Sequence, residues 1–155
     1  MAKEVMRRSA SDNEYMHKDF HGALSVGLDY LADNYGRQAV EDYLKQFTLS
    51  FYAPLRQALK TNGLGALKEH FEKLYQIEGG DVEFKLTDDE LVISVAACPA
   101  VMHMRENNYP VSSLFSLTTS TVNEALCQDT QYSAELVEYD EQTGRNVQRF
   151  YRREM

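Results

Sequence analysis

The chain has 155 residues and carries 24 acidic against 16 basic side chains, which gives a formal net charge of -8. A chain of this length can bury about 70% of the surface that it exposes when unfolded, so one hydrophobic core suffices without metal or disulfide staples. The acidic balance argues against nucleic acid and anionic membranes as partners, because both are bound through clustered Lys and Arg.

The sequence predicts one cytoplasmic domain. No stretch approaches the roughly 20 apolar residues of a membrane-spanning helix, and the charged residues 1–8 do not resemble a secretory signal. In that compartment Cys98 and Cys127 are expected to be free thiols. No linker or repeat divides residues 1–155, of which residues 1–12 are predicted to form a flexible N-terminal segment.

The first half of the chain has the apolar period of amphipathic helices, with apolar residues three and four positions apart. This period predicts a first helix over about residues 12–33, a second over 40–51 and a third over 64–79. Pro54 should kink or restart the second helix, because proline lacks the amide hydrogen that the preceding turn needs.

The second half changes to the alternating period of strands. Residues 82–86 and 91–97 predict one β-hairpin, and Tyr132–Tyr139 and Asn146–Arg152 predict another. A fourth helix is expected between the hairpins, over residues 112–126. Two hairpins pair most simply into one antiparallel sheet of about four strands covered by helices, so the predicted class is α+β. Neither connection is long enough for the crossover helix of a parallel sheet.

Two histidines lie on the core-facing side of the first predicted helix. At 100° per residue, His21 lies about 40° from His17, within the apolar stripe, and Glu14 falls on the same face. A pair of histidines four residues apart can share one substrate or a divalent metal such as zinc, of which it forms half a site. The alternative is a structural pair hydrogen-bonded to backbone or carboxylate groups.

Cys98 is the candidate nucleophile, because Pro99 should end the preceding strand and leave the thiol at the edge or rim of the sheet. A nearby imidazole favours the reactive thiolate, and His103 or His21 is the candidate general base. Equally, a small thiol at the end of an apolar strand is often plain core. Tyr52 and Tyr75 are candidate ligand contacts, although their helical spacing is also typical of a core.

Three short motifs complete the sequence pattern: His17-Lys18-Asp19-Phe20-His21, Cys98-Pro99-Ala100, and Gly144 with Gln148-Arg149-Phe150. Through them the chain, over about residues 15–152, resembles the L-2-amino-thiazoline-4-carboxylate hydrolase-like family of small bacterial proteins. Its order of elements is similar to that of the wider vinyl-reductase-like group of small-molecule-binding domains. The resemblance implies hydrolytic opening of a C–N ring, with cysteine or a bound metal as the chemical centre.

The chain departs from the family at two soft ligands. Family members tend to carry a further Cys, and often an Asp, at the head of the fourth helix, where residues 113–119 here contain neither. A Cys common in the final strand is replaced near Gln148. Both losses weaken a thiolate-metal site, whereas Cys98, His17 and His21 remain.

Three functions follow from these patterns. The first is hydrolysis of a C–N bond in a small heterocyclic or amide-like substrate, with Cys98 as nucleophile, His103 or His21 as base, and Glu14, His17, Tyr52 and Tyr75 around the substrate. In a variant of it, a metal on His17 and His21 activates water. The second is a non-catalytic domain that binds a small organic molecule. The third is a homodimer without a ligand, whose ten tyrosines supply an interface.

Overall fold

The computed structural model describes residues 18–154 and confirms the α+β class. In this part of the chain six helices pack on a four-stranded antiparallel sheet. The elements in order are α1 (Asp19–Tyr35), α2 (Arg37–Phe51), α3 (Ala53–Asn62), α4 (Leu64–Glu78), β1 (Val82–Leu86), β2 (Glu90–Val95), α5 (Pro99–Glu106), α6 (Leu117–Cys127), β3 (Tyr132–Tyr139) and β4 (Asn146–Arg152). None of the described helices is long and apolar enough to cross a bilayer.

The helix boundaries follow the glycine and proline signals. Gly36 and Gly63 have positive φ angles of 88° and 80°, which few other residues adopt, and they separate α1 from α2 and α3 from α4. Helix α2 ends at Tyr52, and Pro54 stands in the first turn of α3, where its missing N–H leaves no bond unmade. The predicted restart at Pro54 is confirmed. The predicted beginning of the first helix and the flexible segment 1–12 lie outside the described residues.

Both predicted hairpins form and join into one sheet of order β1-β2-β4-β3. The central pair is β2 with β4, in which Leu91 faces Phe150 and Val95 faces Asn146. The second hairpin has the predicted strand limits, with a bulge between Leu136 and Glu138. Strand β2 ends at Val95, two residues before its predicted end.

Two expectations about helices were wrong in detail. Helix α5 is an addition to the predicted elements: Pro99 not only follows a strand but is also the first residue of this helix, a position that proline favours. The following helix begins at Leu117 and not at residue 112. Ser112 instead binds α1: its backbone N–H donates to Ser25 Oγ at 2.7 Å and its hydroxyl donates to Asp29 Oδ1 at 2.5 Å.

The hydrophobic core consists of two clusters. The sheet cluster lies between the sheet and helices α3, α4 and α6, and comprises Leu59, Leu64, Leu67, Phe71, Leu91, Ile93, Val95, Leu126, Cys127, Tyr132 and Phe150. The helix cluster joins α1, α2, α5 and α6, and comprises Leu28, Val40, Leu44, Ala100, Val101, Met104, Phe115 and Leu117. Val122 of α6 packs against both clusters, so α6 connects them.

The sheet cluster should depend strongly on Phe150, which is fully buried on β4 and packs against the ring of Phe71. We expect Phe150→Ala to lower the free energy of unfolding by about 3–5 kcal/mol, measured by urea denaturation. Tyr151→Ala, the next residue on the same strand, is the control, because its half-exposed side chain points to the other face of the sheet. Equal losses in the two variants would contradict this account of the core.

Candidate functional site

Glu78, the last residue of α4, joins α4 to the first turns of α1. Its Oε1 lies 3.0 Å from His21 Nε2, and the two side chains are only 11% and 14% exposed. A carboxylate this far from water needs a partner, and the imidazole supplies it. His21 is therefore hydrogen-bonded to a carboxylate, as expected if the histidine has a structural role. A ligand could also bind at this position.

The negative charge of Glu78 also acts on three further groups, which come from three different parts of the chain. Burial raises the pKa of Tyr52, and Glu78 adds to the increase. Burial likewise raises the pKa of Tyr75, where a hydrogen bond from Gln148 opposes the increase and the charges of Cys98 and Glu78 add to it. Of the predicted site residues, His21 therefore contacts Glu78 directly, whereas Tyr52, Tyr75 and Cys98 are affected by its charge.

Tyr52 and Tyr75 lie at the two ends of a row of rings along α4. Tyr52 meets the ring of His70 at a centroid distance of 5.6 Å, His70 meets Phe71 at 5.3 Å, and Phe71 stacks on Tyr75 at 6.4 Å. Both tyrosines also pack against the sheet cluster. They are therefore part of the core, and the charge of Glu78 acts on both of them.

Cys98 precedes the first residue of α5, just beyond the end of the central strand β2. Its backbone N–H donates to Thr143 O at 2.9 Å. Burial raises the pKa of its thiol; the backbone amides of Val101 and Ala100 lower it, and Glu78 raises it again. The thiol therefore occupies the N-terminal position that stabilises thiolates, but burial outweighs the amides and keeps it protonated.

At Gly144 the turn between β3 and β4 is in close contact with Cys98. A Cβ atom on Gly144 would lie 2.4 Å from Cys98 Cβ and 2.9 Å from Val101 Cγ2, and the φ angle of Gly144 is +69°. Both the space and the backbone angle therefore require glycine. The position of the thiol is set by a turn that follows it by more than forty residues.

Four buried or nearly buried polar side chains form a hydrogen-bonded group that we call the polar seam: Tyr75, Asn123, Asn146 and Gln148. Asn123 Nδ2 donates to Gln148 Oε1 at 2.7 Å, and Gln148 Nε2 donates to Asn146 Oδ1 at 2.9 Å and to Tyr75 Oη at 3.3 Å. Tyr75 packs against the sheet cluster, Cys98 packs against the helix cluster, and Asn123 follows Val122, which touches both. The seam therefore lies where the two clusters meet.

The sequence interpretation did not single out Asn123, Asn146 or Gln148 as site residues. A signal was available for two of them, because Asn146 and Gln148 alternate with outward residues on the strand whose next inward position is Phe150. Polar residues at consecutive inward positions of a strand indicate a buried polar group. Asn123 has no such signal, because the face of α6 on which it lies is mixed.

An open groove of about 420 Å³ lies beside this group. Its wall includes Glu78, Pro99 and His103, together with Lys18 at the beginning of the described chain. Gly80 also lines it, and a Cβ there would lie 3.0 Å from Tyr75 Cδ1 and 3.2 Å from Pro99 Cγ. Glu78 thus belongs to both the groove and the inner group, and the thin wall at Gly80 separates the groove from Tyr75.

The ring of His103 contacts Asp19 and Tyr109. Its Nε2 lies 2.8 Å from Asp19 Oδ1, and Tyr109 Oη donates to the same oxygen at 3.2 Å. His103 also lies about 7 Å further along the axis of α5 than Cys98. This placement gives no support to His103 as the base for Cys98, although it leaves His103 in the groove.

The predicted residues Glu14 and His17 lie outside the described part of the chain. Within residues 18–154, no three His, Cys, Asp or Glu side chains converge to hold a metal ion. His21 and Glu78 supply two donors, one fewer than a catalytic zinc site needs. A metal on His21 would therefore depend on a further donor such as His17.

Comparison with protein-family models finds no matching model, and comparisons with curated proteins and with solved structures find no match either. The description of the site therefore rests on the geometry of this chain.

The contact between Gly144 and Cys98 should make Gly144→Ala strongly destabilising. Gly79→Ala is the matched control, because Gly79 also has a positive φ, of +81°, but nothing lies within 4 Å of an added Cβ. We expect a loss of about 1 kcal/mol for Gly79→Ala, from the backbone alone. Gly144→Ala should lose at least about 2 kcal/mol more in urea denaturation, because α5 or the turn must move. Equal losses would show that the contact is unimportant.

The two thiols should react slowly in the folded protein. Only the thiolate is alkylated, so the raised pKa of Cys98 lowers its reactive fraction at pH 7, and the rate should rise as the pH increases beyond 9. Burial raises the pKa of Cys127 to about 12, and it should react only on unfolding. We expect iodoacetamide to label Cys98 at pH 7 at least about tenfold more slowly than glutathione, measured by mass spectrometry. Labelling as fast as glutathione would contradict the protonated thiol.

Proposed function

We propose that the protein binds a small polar organic molecule in the groove beside Glu78, next to Cys98 and the polar seam, with the wall at Gly80 between the groove and Tyr75. The observation that carries the proposal is the gathering of five polar groups from distant parts of the chain where the two apolar clusters meet: His21, Tyr75, Glu78, Cys98 and Gln148. Pockets for small molecules typically combine apolar walls with a few convergent polar groups.

The buried amides of the polar seam have an energetic cost that a ligand site would explain. A buried Gln or Asn without a partner costs about 1–3 kcal/mol, and even when paired it contributes less than an apolar side chain of the same volume. Gln148 is 1% exposed and Asn123 is 4% exposed. Side chains of this kind at the meeting of two clusters supply donors and acceptors that can be exchanged for those of a ligand.

The groove indicates the kind of ligand. Its volume of about 420 Å³ falls within the roughly 300–1,000 Å³ of small-molecule sites. Glu78 accepts hydrogen bonds, whereas Lys18 presents a donor on the same wall. A small heterocycle or amide that carries both an N–H group and an oxygen matches this arrangement.

A second candidate is hydrolysis of a C–N bond by Cys98, as the resemblance to the hydrolase-like family implies. The observation that favours it is the effect of the Ala100 and Val101 amides, which lower the pKa of the thiol from the first turn of α5. Such amides would also stabilise negative charge that develops on a substrate atom bound beside the sulfur. His21, held by Glu78, is the base that this candidate retains.

In that reaction the Cys98 thiol would pass its proton to His21, and the sulfur would attack the substrate carbon. A C–S bond forms, the C–N bond breaks, and the leaving nitrogen takes the proton from His21. Water would then cleave the C–S bond and restore the thiol. Burial keeps the thiol protonated, and this effect opposes the reaction. A bound substrate would have to strengthen the effect of the Ala100 and Val101 amides on the sulfur enough to overcome it.

Thermal shift against a library of small heterocycles and carboxamides tests binding. A ligand with a dissociation constant near 100 μM, present at 1 mM, should raise the melting temperature by about 3 °C. The shift should vanish in Glu78→Gln, measured against the melting temperature of that variant, and should persist in the control Glu83→Gln on the exposed part of β1. The absence of any stabilising compound at millimolar concentration would overturn the binding proposal.

A ligand found in this way separates the two candidates. If the protein only binds, the compound is recovered unchanged and Cys98→Ser retains the thermal shift. If it hydrolyses the compound, the product gains the mass of one water, and Cys98→Ser loses turnover while it still binds. Unchanged turnover in Cys98→Ser would exclude the thiol as nucleophile.

A further inference from the structure

Most of the exposed large apolar side chains of the described chain lie on its first two helices. Ten large apolar side chains are exposed in residues 18–154, and seven of them belong to α1 and α2. On α2 three rings follow one another at intervals of four residues and form what we call the aromatic ridge: Tyr43, Phe47 and Phe51. Phe47 and Phe51 stack with a centroid distance of 5.1 Å, so these two rings of the ridge are in contact.

The ridge carries no charge, although α2 does. At 100° per residue, the ridge and the neighbouring Ala39, Gln46 and Ser50 fall within an arc of about 140°. The charged residues of α2 all fall on the remaining arc and are Arg37, Glu41, Asp42 and Lys45. This arc also contains the buried Val40, and its other side chains are uncharged and at least partly exposed. In a chain with 26% charged residues, an exposed group of apolar rings on an uncharged helix face is typical of a contact surface.

The exposed area approaches that of a stable dimer. The ridge rings are 46%, 37% and 63% exposed, which amounts to roughly 300 Å² per copy for side chains of about 200 Å². A two-fold contact that also covered Phe20, Tyr30 and Tyr35 of α1, which packs beside α2, would add roughly 350 Å². Together they come close to the roughly 800 Å² that each partner contributes to an interface of standard size.

We propose that the aromatic ridge is the centre of a homodimer interface in which α2 packs antiparallel on α2 of a second copy. Phe47 is the midpoint of the ridge, so a two-fold axis there places Phe47 on Phe47 and Tyr43 on Phe51 of the other copy. Such self-complementarity is what a two-fold interface requires. Two chains of net charge -8 repel each other, and a contact through an uncharged ridge keeps like charges off the contact surface.

Sedimentation equilibrium of the full chain between 1 and 200 μM tests this proposal. The expected species at high concentration has twice the 17.8 kDa of one chain, and its association should strengthen when salt is raised from 0.05 to 0.5 M, because salt screens the repulsion. Phe47→Glu and Phe51→Glu should each weaken dimerisation at least tenfold. Val137→Glu is the control, because it adds the same charge on β3 at a side chain that is 48% exposed.

Far-UV circular dichroism and the melting temperature show whether each variant folds. If Phe47→Glu fails to fold, Phe51→Glu tests the proposal, because Phe51 is the most exposed ring of the ridge. A wild-type chain that is monomeric at 200 μM would overturn the proposal and would leave residues 1–17 or another protein as the cover of the ridge. A dimer that is unaffected by Phe51→Glu, or equally weakened by Val137→Glu, would also overturn it. Ligand binding beside Glu78 is measured separately and bears on neither result.

Discussion

The side chain of Gln148 imposes the constraint on which the interior depends. A primary amide with 1% exposure must have its hydrogen bonds made inside the protein, and its partners come from three elements: Tyr75 from α4, Asn123 from α6 and Asn146 from β4 itself. Apolar contacts would tolerate a shift of a helix along the sheet, whereas these bonds fix distance and direction. The seam thereby sets the relative position of the two helices and the central strand.

The same arrangement places the thiol. Cys98 lies between the first turn of α5, whose amides favour the thiolate, and an interior that favours the thiol. The turn at Gly144 closes over it without a side chain, and Glu78 adds negative charge from the side of the groove. The pKa of Cys98, and with it the reactivity of the thiol, therefore depends on two opposing effects, burial and the backbone dipoles. A change in the burial of Cys98 would change its reactivity.

Most of the fold could be predicted from local patterns in the sequence. The alternation in Tyr132–Tyr139 and Asn146–Arg152 is a property of consecutive residues, and both strands formed with these limits. Helix α5 was missed because Pro99 fits the end of a strand and the beginning of a helix equally well. The site was harder to predict, because the neighbours of Glu78 and the distance between His103 and Cys98 depend on how the elements pack. No spacing in the sequence places His21 beside Glu78, 57 residues away.

Two parts of a protein core that meet through hydrogen bonds differ in one respect from two parts that meet through apolar contacts. When two apolar surfaces separate, the lost burial is not recovered until they meet again, whereas polar groups exchange one partner for another with little net change in free energy. The two halves of this interior meet through amides and a phenol as well as through Val122. A polar solute that reached the amides could therefore replace one hydrogen-bond partner by another while the apolar packing of each half is kept.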